Sequence, residues 1–139
     1  MRRLLLLLVA VLALAACGGG SGGKTSDKGQ ITSAYEKFFS GKTSVSDRVA
    51  LLQNGQKFKP VIQAFASNPL ARNVSATVSS VTLQGPNDAK VVYQVKLGGT
   101  GLPKQTGAAV RQNGKWKVAD SSLCKLVALQ GSTPPACRS

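Results

Sequence analysis

The feature that most constrains the fold is a change in hydrophobic spacing near Asn68-Pro69. Before it, apolar residues recur at intervals of three and four, as they do on one face of a helix. After it, apolar and polar residues alternate, which is typical of strands buried on one face. Helices followed by a run of antiparallel strands predict an α+β domain.

Three helical segments are predicted before the change. The first has an aromatic-rich face from Ile31 to Phe39 and ends at Gly41. The second is short, with Thr43, Ser44 and Ser46 as candidate caps and Asp47 in its first turn. The third covers about residues 56–66 and is amphipathic. These helices are available to cover one face of the sheet.

Four strands are predicted after the change, at about residues 74–83, 91–97, 105–112 and 115–119. The alternation changes parity inside the first strand, and a bulge near Ser79-Ser80 would reconcile the two phases. Asn113-Gly114 predicts a tight hairpin. Residues 98–103 are predicted to form a loop. A short helix carrying Leu123, Leu126, Val127 and Leu129 is predicted to follow the last strand.

The N-terminus resembles a bacterial lipoprotein signal. Arg2 and Arg3 precede an apolar run over residues 4–16, which ends in Leu14-Ala15-Ala16-Cys17. The run of 13 residues is shorter than the roughly 18 expected of a membrane span. An uncleaved membrane helix and ordinary signal cleavage remain the alternatives. We predict a signal peptide at 1–16, a lipidated Cys17 with a flexible linker at 17–29, and one α+β domain at 30–139.

This resemblance implies a location. Cys17 would carry a diacylglyceryl group and become the mature N-terminus, on the outer face of the bacterial cell membrane. The Gly/Ser-rich residues 18–29 would behave as a random coil and place the domain about 20 Å from the anchor. Residues 18–25 match the pattern Gly-x-x-x-x-Gly-Lys-Thr, but no strand precedes the glycines, so a phosphate-binding loop is not expected.

The chain is strongly basic. Loss of Arg2 and Arg3 with the signal peptide would lower its formal charge from +13 to +11. The lysines are spread along the chain, and no base-stacking motif accompanies them, so nucleic acid is not an expected partner. The remaining interpretations are a solvated surface or attraction to anionic lipid or wall polymers.

The chain has three cysteines, one near the N-terminus and two near the C-terminus. With Cys17 assigned to lipid, Cys124 and Cys137 form an even pair in an oxidising compartment, which predicts a disulfide. It would close a loop of 14 residues and stabilise the domain by roughly 3 kcal/mol. A metal site is the alternative, but two cysteines in a chain without histidine make a poor zinc site.

Several short motifs resemble a known family. Asn68-Pro69-Leu70, Gln105-Thr106-Gly107, the stretch 112–118 (Gln-Asn-Gly-Lys-Trp-Lys-Val) and the two late cysteines resemble the low-molecular-weight mycobacterial antigens and their actinobacterial relatives. The resemblance covers most of residues 30–139. It implies a nuclear-transport-factor-2-like cone, in which N-terminal helices pack on a curved four-stranded antiparallel sheet. It implies no settled activity.

Catalytic members of such folds place acid and base groups inside a pocket. This chain has no histidine, which removes the usual base. No two of its carboxylates have a spacing that forces them together. Cys124 could act as a thiol only if it were unpaired. We therefore predict no enzyme, no cofactor and no metal. The five acidic residues are Asp27, Glu36, Asp47, Asp88 and Asp120.

Seven aromatic residues have two interpretations. The simpler one places them in the core. The more specific interpretation is that some of them line an apolar cavity for a hydrophobic ligand. They are Tyr35, Phe38, Phe39, Phe58, Phe65, Tyr93 and Trp116.

Two functions follow from these observations. The first is a cell-surface lipoprotein whose small non-catalytic domain binds a hydrophobic small molecule or a surface protein partner. The alternative is a structural, adhesion or antigen-type surface protein that binds anionic lipid or wall polymer through its basic surface. Salt should weaken the second kind of binding and not the first.

Overall fold

Helices and strands follow one another in the predicted order. The structure is a computed structural model that describes residues 26–131 and 133–138. The predicted signal peptide 1–16, Cys17 and residues 18–25 of the linker lie outside the described residues. The helices are α1 (Asp27–Phe39), α2 (Val45–Leu51), α3 (Lys59–Ala66) and α4 (Asp120–Leu129), and the strands are β1 (Val74–Leu83), β2 (Asp88–Leu97), β3 (Thr100–Gly101), β4 (Gln105–Gln112) and β5 (Lys115–Val118).

The strands form one antiparallel sheet in the order β1-β2-β4-β5, with β3 paired to β2. The bulge in β1 is confirmed, since Val78 pairs with Tyr93 and the next paired residue is Ser80, opposite Val92. The Glu36 carboxylate accepts a hydrogen bond from the Val78 N–H at 3.2 Å. This side chain from α1 therefore satisfies a backbone donor beside the bulge.

The hairpin between β4 and β5 is also confirmed. Asn113 and Gly114 have φ angles of 54° and 77°. Positive φ at both central residues is the requirement of a type I′ turn, which Asn and Gly meet at low cost. The turn fixes the register that opposes Arg111 to Trp116 and Ala109 to Val118.

The core lies between α1 and the sheet. Ile31, Tyr35, Phe38 and Phe39 are buried on one side of α1, and they meet buried residues at alternating positions of β2, Ala89 to Val95. Tyr35 and Phe39 both pack against the ring of Tyr93, at centroid distances of 4.9 and 5.4 Å. The predicted α+β fold, with N-terminal helices packed on a curved four-stranded antiparallel sheet, is confirmed, and β3 is a short addition to it.

The boundary predicted between linker and domain differs from the structure. Helix α1 begins at Asp27, so the last three residues assigned to the 17–29 linker are helical. The Ser26 hydroxyl accepts a hydrogen bond from the Gly29 N–H at 3.1 Å, as a helix N-cap does. Asp27 also accepts from Arg111 at 2.7 Å and from the Trp116 indole at 3.1 Å. The sequence could not reveal these distant partners, and the glycine-rich neighbours suggested a linker.

The segment predicted as a loop after β2 carries regular pairing. Residues Thr100–Gly101 form β3, and the Leu102 N–H donates to the Val95 carbonyl at 2.8 Å. The chain therefore folds back along the end of β2 and brings Leu102 and Pro103 over the sheet. This placement matters because both residues line the cavity described below.

A disulfide joins Cys124 in α4 to Cys137 in the short 3₁₀ turn Pro135–Cys137, with a Cα–Cα distance of 5.6 Å. It returns the C-terminal segment to the last helix, as the cysteine count predicts. Within residues 26–131 and 133–138, no helix has the length and apolar character needed to cross a bilayer.

Candidate functional site

An apolar cavity of about 560 Å³ lies between the helices and one end of the sheet. The ends of α1 and α3 form one side, and α4 forms the other. The floor comes from the start of β1 and the end of β2. The residues of these walls are Phe38 and Phe39 of α1, Val61, Ile62 and Phe65 of α3, Val74 and Val95 of the sheet, and Leu123, Leu126, Val127 and Leu129 of α4.

Helix α4 is held in place at its first turn by a buried polar cluster. The Tyr35 hydroxyl donates to the Ala108 carbonyl at 2.5 Å and lies 3.1 Å from the Ser122 hydroxyl. The Ser122 oxygen in turn accepts from the Ala108 N–H at 2.8 Å. Because Ser122 belongs to α4, these bonds join α1, β4 and α4 at one point.

Burial of the cluster changes its acid–base behaviour. Loss of solvation raises the pKa of Tyr35 to about 12, against the smaller opposing effects of its hydrogen bonds to Ser122 and Ala108. Burial also raises the pKa of Tyr93, and the neighbouring Tyr35 adds to the increase. Both phenols are therefore neutral at physiological pH and serve here as packing and hydrogen-bonding groups.

The edge of the cavity exposes apolar side chains. Six large apolar side chains are markedly exposed among the described residues. Four of these line the cavity, namely Phe65, Leu97, Leu102 and Leu129. The exposed apolar surface is thus concentrated where the cavity meets solvent, which is the pattern expected of a binding site.

One charged side chain lines the cavity among the described residues. Arg48 of α2 is only 3% exposed. Its Nη2 donates to the Ser40 carbonyl at 2.6 Å, and its guanidinium carbon lies 5.4 Å from the centre of the Phe65 ring. Its Nε has no hydrogen-bond partner among the described residues. Burial lowers the pKa of Arg48 from its ordinary value, because the charged form loses solvation.

Comparison with known proteins identifies the family. A profile of the C-terminal domain of the low molecular weight antigen MTB12 matches residues 24–134. The chain belongs to this family. The resemblance carried by the short sequence motifs is therefore confirmed. The matched segment begins before α1 and includes every strand and α4, so the MTB12-family domain contains all of the cavity walls.

Other comparisons add less. A search of curated proteins found no match for this MTB12-family chain. Among solved structures, the domain is similar to a Campylobacter jejuni protein named provisionally as an NTF2-like transpeptidase, with 13% identity and a TM-score of 0.42. That similarity covers 63% of this chain and 92% of the other.

The MTB12-family domain divides the seven predicted aromatic residues into two groups. Phe38, Phe39 and Phe65 line the cavity. The other four lie in the core and do not line it, namely Tyr35, Phe58, Tyr93 and Trp116. For these four the pocket-lining prediction is corrected, because their side chains belong to the buried core cluster and are not among the residues that line the cavity.

Most residues of the cavity wall are not predicted from the sequence to line a cavity. Leu123, Leu126 and Val127 were predicted to form the apolar side of a final helix, and this spacing was the available signal. The sequence does not indicate that Arg48 lines a cavity, because one arginine in an amphipathic helix usually faces water. Arg48 is buried because α2 packs against α3, which brings the ring of Phe65 beside its guanidinium.

None of the five carboxylates lines the cavity. Asp27 and Glu36 make the structural hydrogen bonds described above, and Asp120 accepts from the Asn54 amide at 3.0 Å. Asp47 lies in the first turn of α2, and Asp88 is exposed at the start of β2. In the described part of the chain, no group of three or more metal-ligating side chains comes together.

Proposed function

We propose that this chain is a lipid-anchored surface domain that binds a hydrophobic small molecule in the cavity beside α4. The observation that carries the proposal is the combination of an apolar cavity of about 560 Å³ with an exposed apolar edge. Ligand cavities usually have volumes of roughly 300–1,000 Å³ and mainly apolar walls. The MTB12 family, as an antigen family, is compatible with such a surface role.

The polar content of the cavity favours binding over catalysis. Its described lining includes Arg48, Gln105 and Gln130, but no carboxylate, hydroxyl or thiol. General acid–base or nucleophilic chemistry needs one of these groups beside the substrate. We therefore propose that the cavity holds its ligand without changing it.

The proposed location rests on the lipoprotein signal ending at Cys17. A diacylated N-terminus followed by a Gly/Ser-rich segment would hold the domain near the outer face of the membrane. A cavity with an apolar edge would there be close to a source of hydrophobic molecules. This supports a role in holding or transferring such a molecule at the cell surface.

Native mass spectrometry of the processed chain from its own host, in a non-ionic detergent, tests the proposal. We expect an extra mass that remains in the native spectrum, disappears on denaturation and belongs to a hydrophobic molecule other than the detergent. The variant Val61→Trp should lose it, because the indole would fill the cavity from α3. Leu83→Trp is the matched control, since Leu83 is exposed and lies outside the cavity.

Two results would contradict the proposal. One is a bare mass for the wild-type chain together with no uptake of an added hydrophobic fluorophore. The other is equal occupancy in wild type, Val61→Trp and Leu83→Trp, because the bound molecule would then lie outside the cavity.

The basic surface supports a second candidate function. The mature chain would carry a formal charge of +11, because its lysines and arginines outnumber its carboxylates. Such a surface can bind anionic lipid or wall polymer. Binding of this kind should fall steeply as salt is raised and should be unaffected by Val61→Trp.

A further inference from the structure

Arg48 is a buried cation without a carboxylate partner. It is 3% exposed, and in the part of the chain that the structure describes no acidic side chain forms an ion pair with it. Transfer of an isolated charge from water into a protein interior is strongly unfavourable unless an opposite charge or several hydrogen bonds replace the water. The position of Arg48 therefore calls for a compensating group.

The protein supplies only part of that compensation. The Ser40 carbonyl accepts one hydrogen bond from Nη2, and the Phe65 ring provides a cation–π contact at 5.4 Å. Within residues 26–131 and 133–138, the Nε–H has no acceptor. A guanidinium carries five N–H donors arranged for an oxyanion that can accept two of them at once. Arg48 thus has donor capacity left over beside the cavity it lines.

The rest of the cavity suits a different part of a ligand. The walls from α3, α4 and the sheet are apolar, with Gln105 and Gln130 as the other polar residues in the described lining. A fully apolar ligand would fill this space and leave the cation uncompensated. A fully polar anion would leave the apolar walls in contact with water. A molecule with both parts satisfies both surfaces.

We propose that the cavity binds an anionic amphiphile, with its apolar chain along α4 and its head group paired with Arg48. This deepens the function proposed above and rests on it. A carboxylate, as in a fatty acid, and a phosphate monoester share the required chemistry, which is a terminal oxyanion able to accept from the guanidinium. Neutral amphiphiles of the same chain length should bind the same walls without the ion pair.

The test compares three probes that share a twelve-carbon chain and differ in head group: dodecanoate, dodecyl phosphate and dodecanol. Each is titrated into the delipidated, processed full chain in one non-ionic detergent. Native mass spectrometry measures the dissociation constant for wild type and for Arg48→Met. The quantity compared is the ratio of variant to wild type for each probe, so that partitioning of a probe into detergent cancels.

We expect Arg48→Met to weaken dodecanoate or dodecyl phosphate binding by at least roughly tenfold, the loss of a charge-assisted hydrogen bond, and to leave dodecanol binding unchanged. Whichever anionic probe shows the loss identifies the head group. Equal weakening of all three probes, or of none, would overturn the proposal while leaving hydrophobic binding intact. Failure of all three probes to bind the wild-type chain would instead overturn the proposed function itself.

Arg48→Lys keeps the test valid if the methionine variant does not fold. Lysine retains the charge but loses the planar pair of donors, so the anionic probes should weaken less than with methionine and dodecanol should again be unaffected. Each variant's thermal unfolding is measured alongside. If a folded Arg48→Lys variant binds the anionic and neutral probes with the wild-type constants, the head group does not pair with the guanidinium and the proposal is overturned.

Discussion

The backbone of Gly107 passes directly beneath the side chain of Tyr35. A Cβ atom at residue 107 would lie 2.6 Å from the phenolic oxygen of Tyr35 and 2.8 Å from the hydroxyl of Ser122. Glycine at this position lets the Tyr35–Ala108–Ser122 cluster form, and the cluster positions the cavity wall made by α4.

Gly107→Ala should therefore destabilise the domain by roughly 1–3 kcal/mol, the usual cost of overpacking a close contact. Urea unfolding followed by tryptophan fluorescence measures the change. Gly99→Ala is the matched control, because a Cβ there would have no neighbour within 4 Å. Equal stabilities for the two variants would show that Tyr35 and Ser122 can move away without loss.

Alkaline pH should unfold the domain through its two buried tyrosines. Burial raises the pKa of Tyr35 to about 12 and also raises that of Tyr93, above the ordinary value of 10.0. The folded state therefore holds these protons more tightly than the unfolded state does. The contribution of Tyr35 is fully present below pH 10, is lost as the pH rises through 12 and amounts to roughly 3 kcal/mol, and that of Tyr93 is lost at still higher pH.

Phenolate absorbance measures this directly, because the chain has only these two tyrosines. We expect phenolate to appear together with the loss of the folded circular dichroism signal. Tyr35→Phe should reduce the pH dependence of the free energy of unfolding in this range. Gradual ionisation of both phenols in a still folded domain would contradict the prediction.

Asp27 should contribute to stability although it was assigned to the linker. Its carboxylate accepts hydrogen bonds from Arg111 and Trp116, while both ion-pair partners are partly exposed. Asp27→Asn should lower the free energy of unfolding by about 1 kcal/mol, the upper end of the range for an exposed ion pair. The value is high because the hydrogen bond from the Trp116 indole is weakened too. Asp88→Asn, which alters an exposed carboxylate at the start of β2, should leave the free energy of unfolding unchanged.

Reduction of the Cys124–Cys137 disulfide should lower the free energy of unfolding by roughly 2–4 kcal/mol. The reason is that the bond closes a loop and so restricts the conformations of the unfolded chain. Thermal unfolding with and without a reductant measures the loss. The double variant Cys124→Ser, Cys137→Ser should resemble the reduced protein and respond no further to reductant. Two titratable thiols at these positions in the oxidised protein would refute the pairing.

Cys17→Ser should release the chain from membranes or leave an unprocessed precursor, because serine cannot accept the thioether-linked lipid. Cell fractionation and the intact mass of the chain measure the outcome. Cys124→Ser is the control for substitution of a cysteine as such. A variant with the wild-type fractionation and mass would rule out lipidation at Cys17.

Features that depend on neighbouring residues could be predicted from sequence. The hairpin at Asn113-Gly114 and the bulge at Ser79-Ser80 follow from local backbone preference and from the parity of side chains. Features that depend on distant elements could not. The partners Asp27 and Arg111 are 84 residues apart, and the cavity wall combines α3 with α4, which all the strands separate in the sequence. Residue type alone places Tyr93 and Phe65 together as candidate cavity residues, although Tyr93 is buried in the core and Phe65 is exposed at the edge of the cavity.

The two helical walls of the cavity are held very differently. Helix α4 is fixed near its start by the buried Ser122, which is hydrogen-bonded to Tyr35 and Ala108, whereas α3 has only Ile62 among its buried residues. Segments with few buried contacts open most readily in the native state. We expect the amide hydrogens of α3 to exchange with solvent much faster than those of α4. Ligand entry would then proceed by transient displacement of α3, so the rate of uptake would follow the opening rate of that one helix.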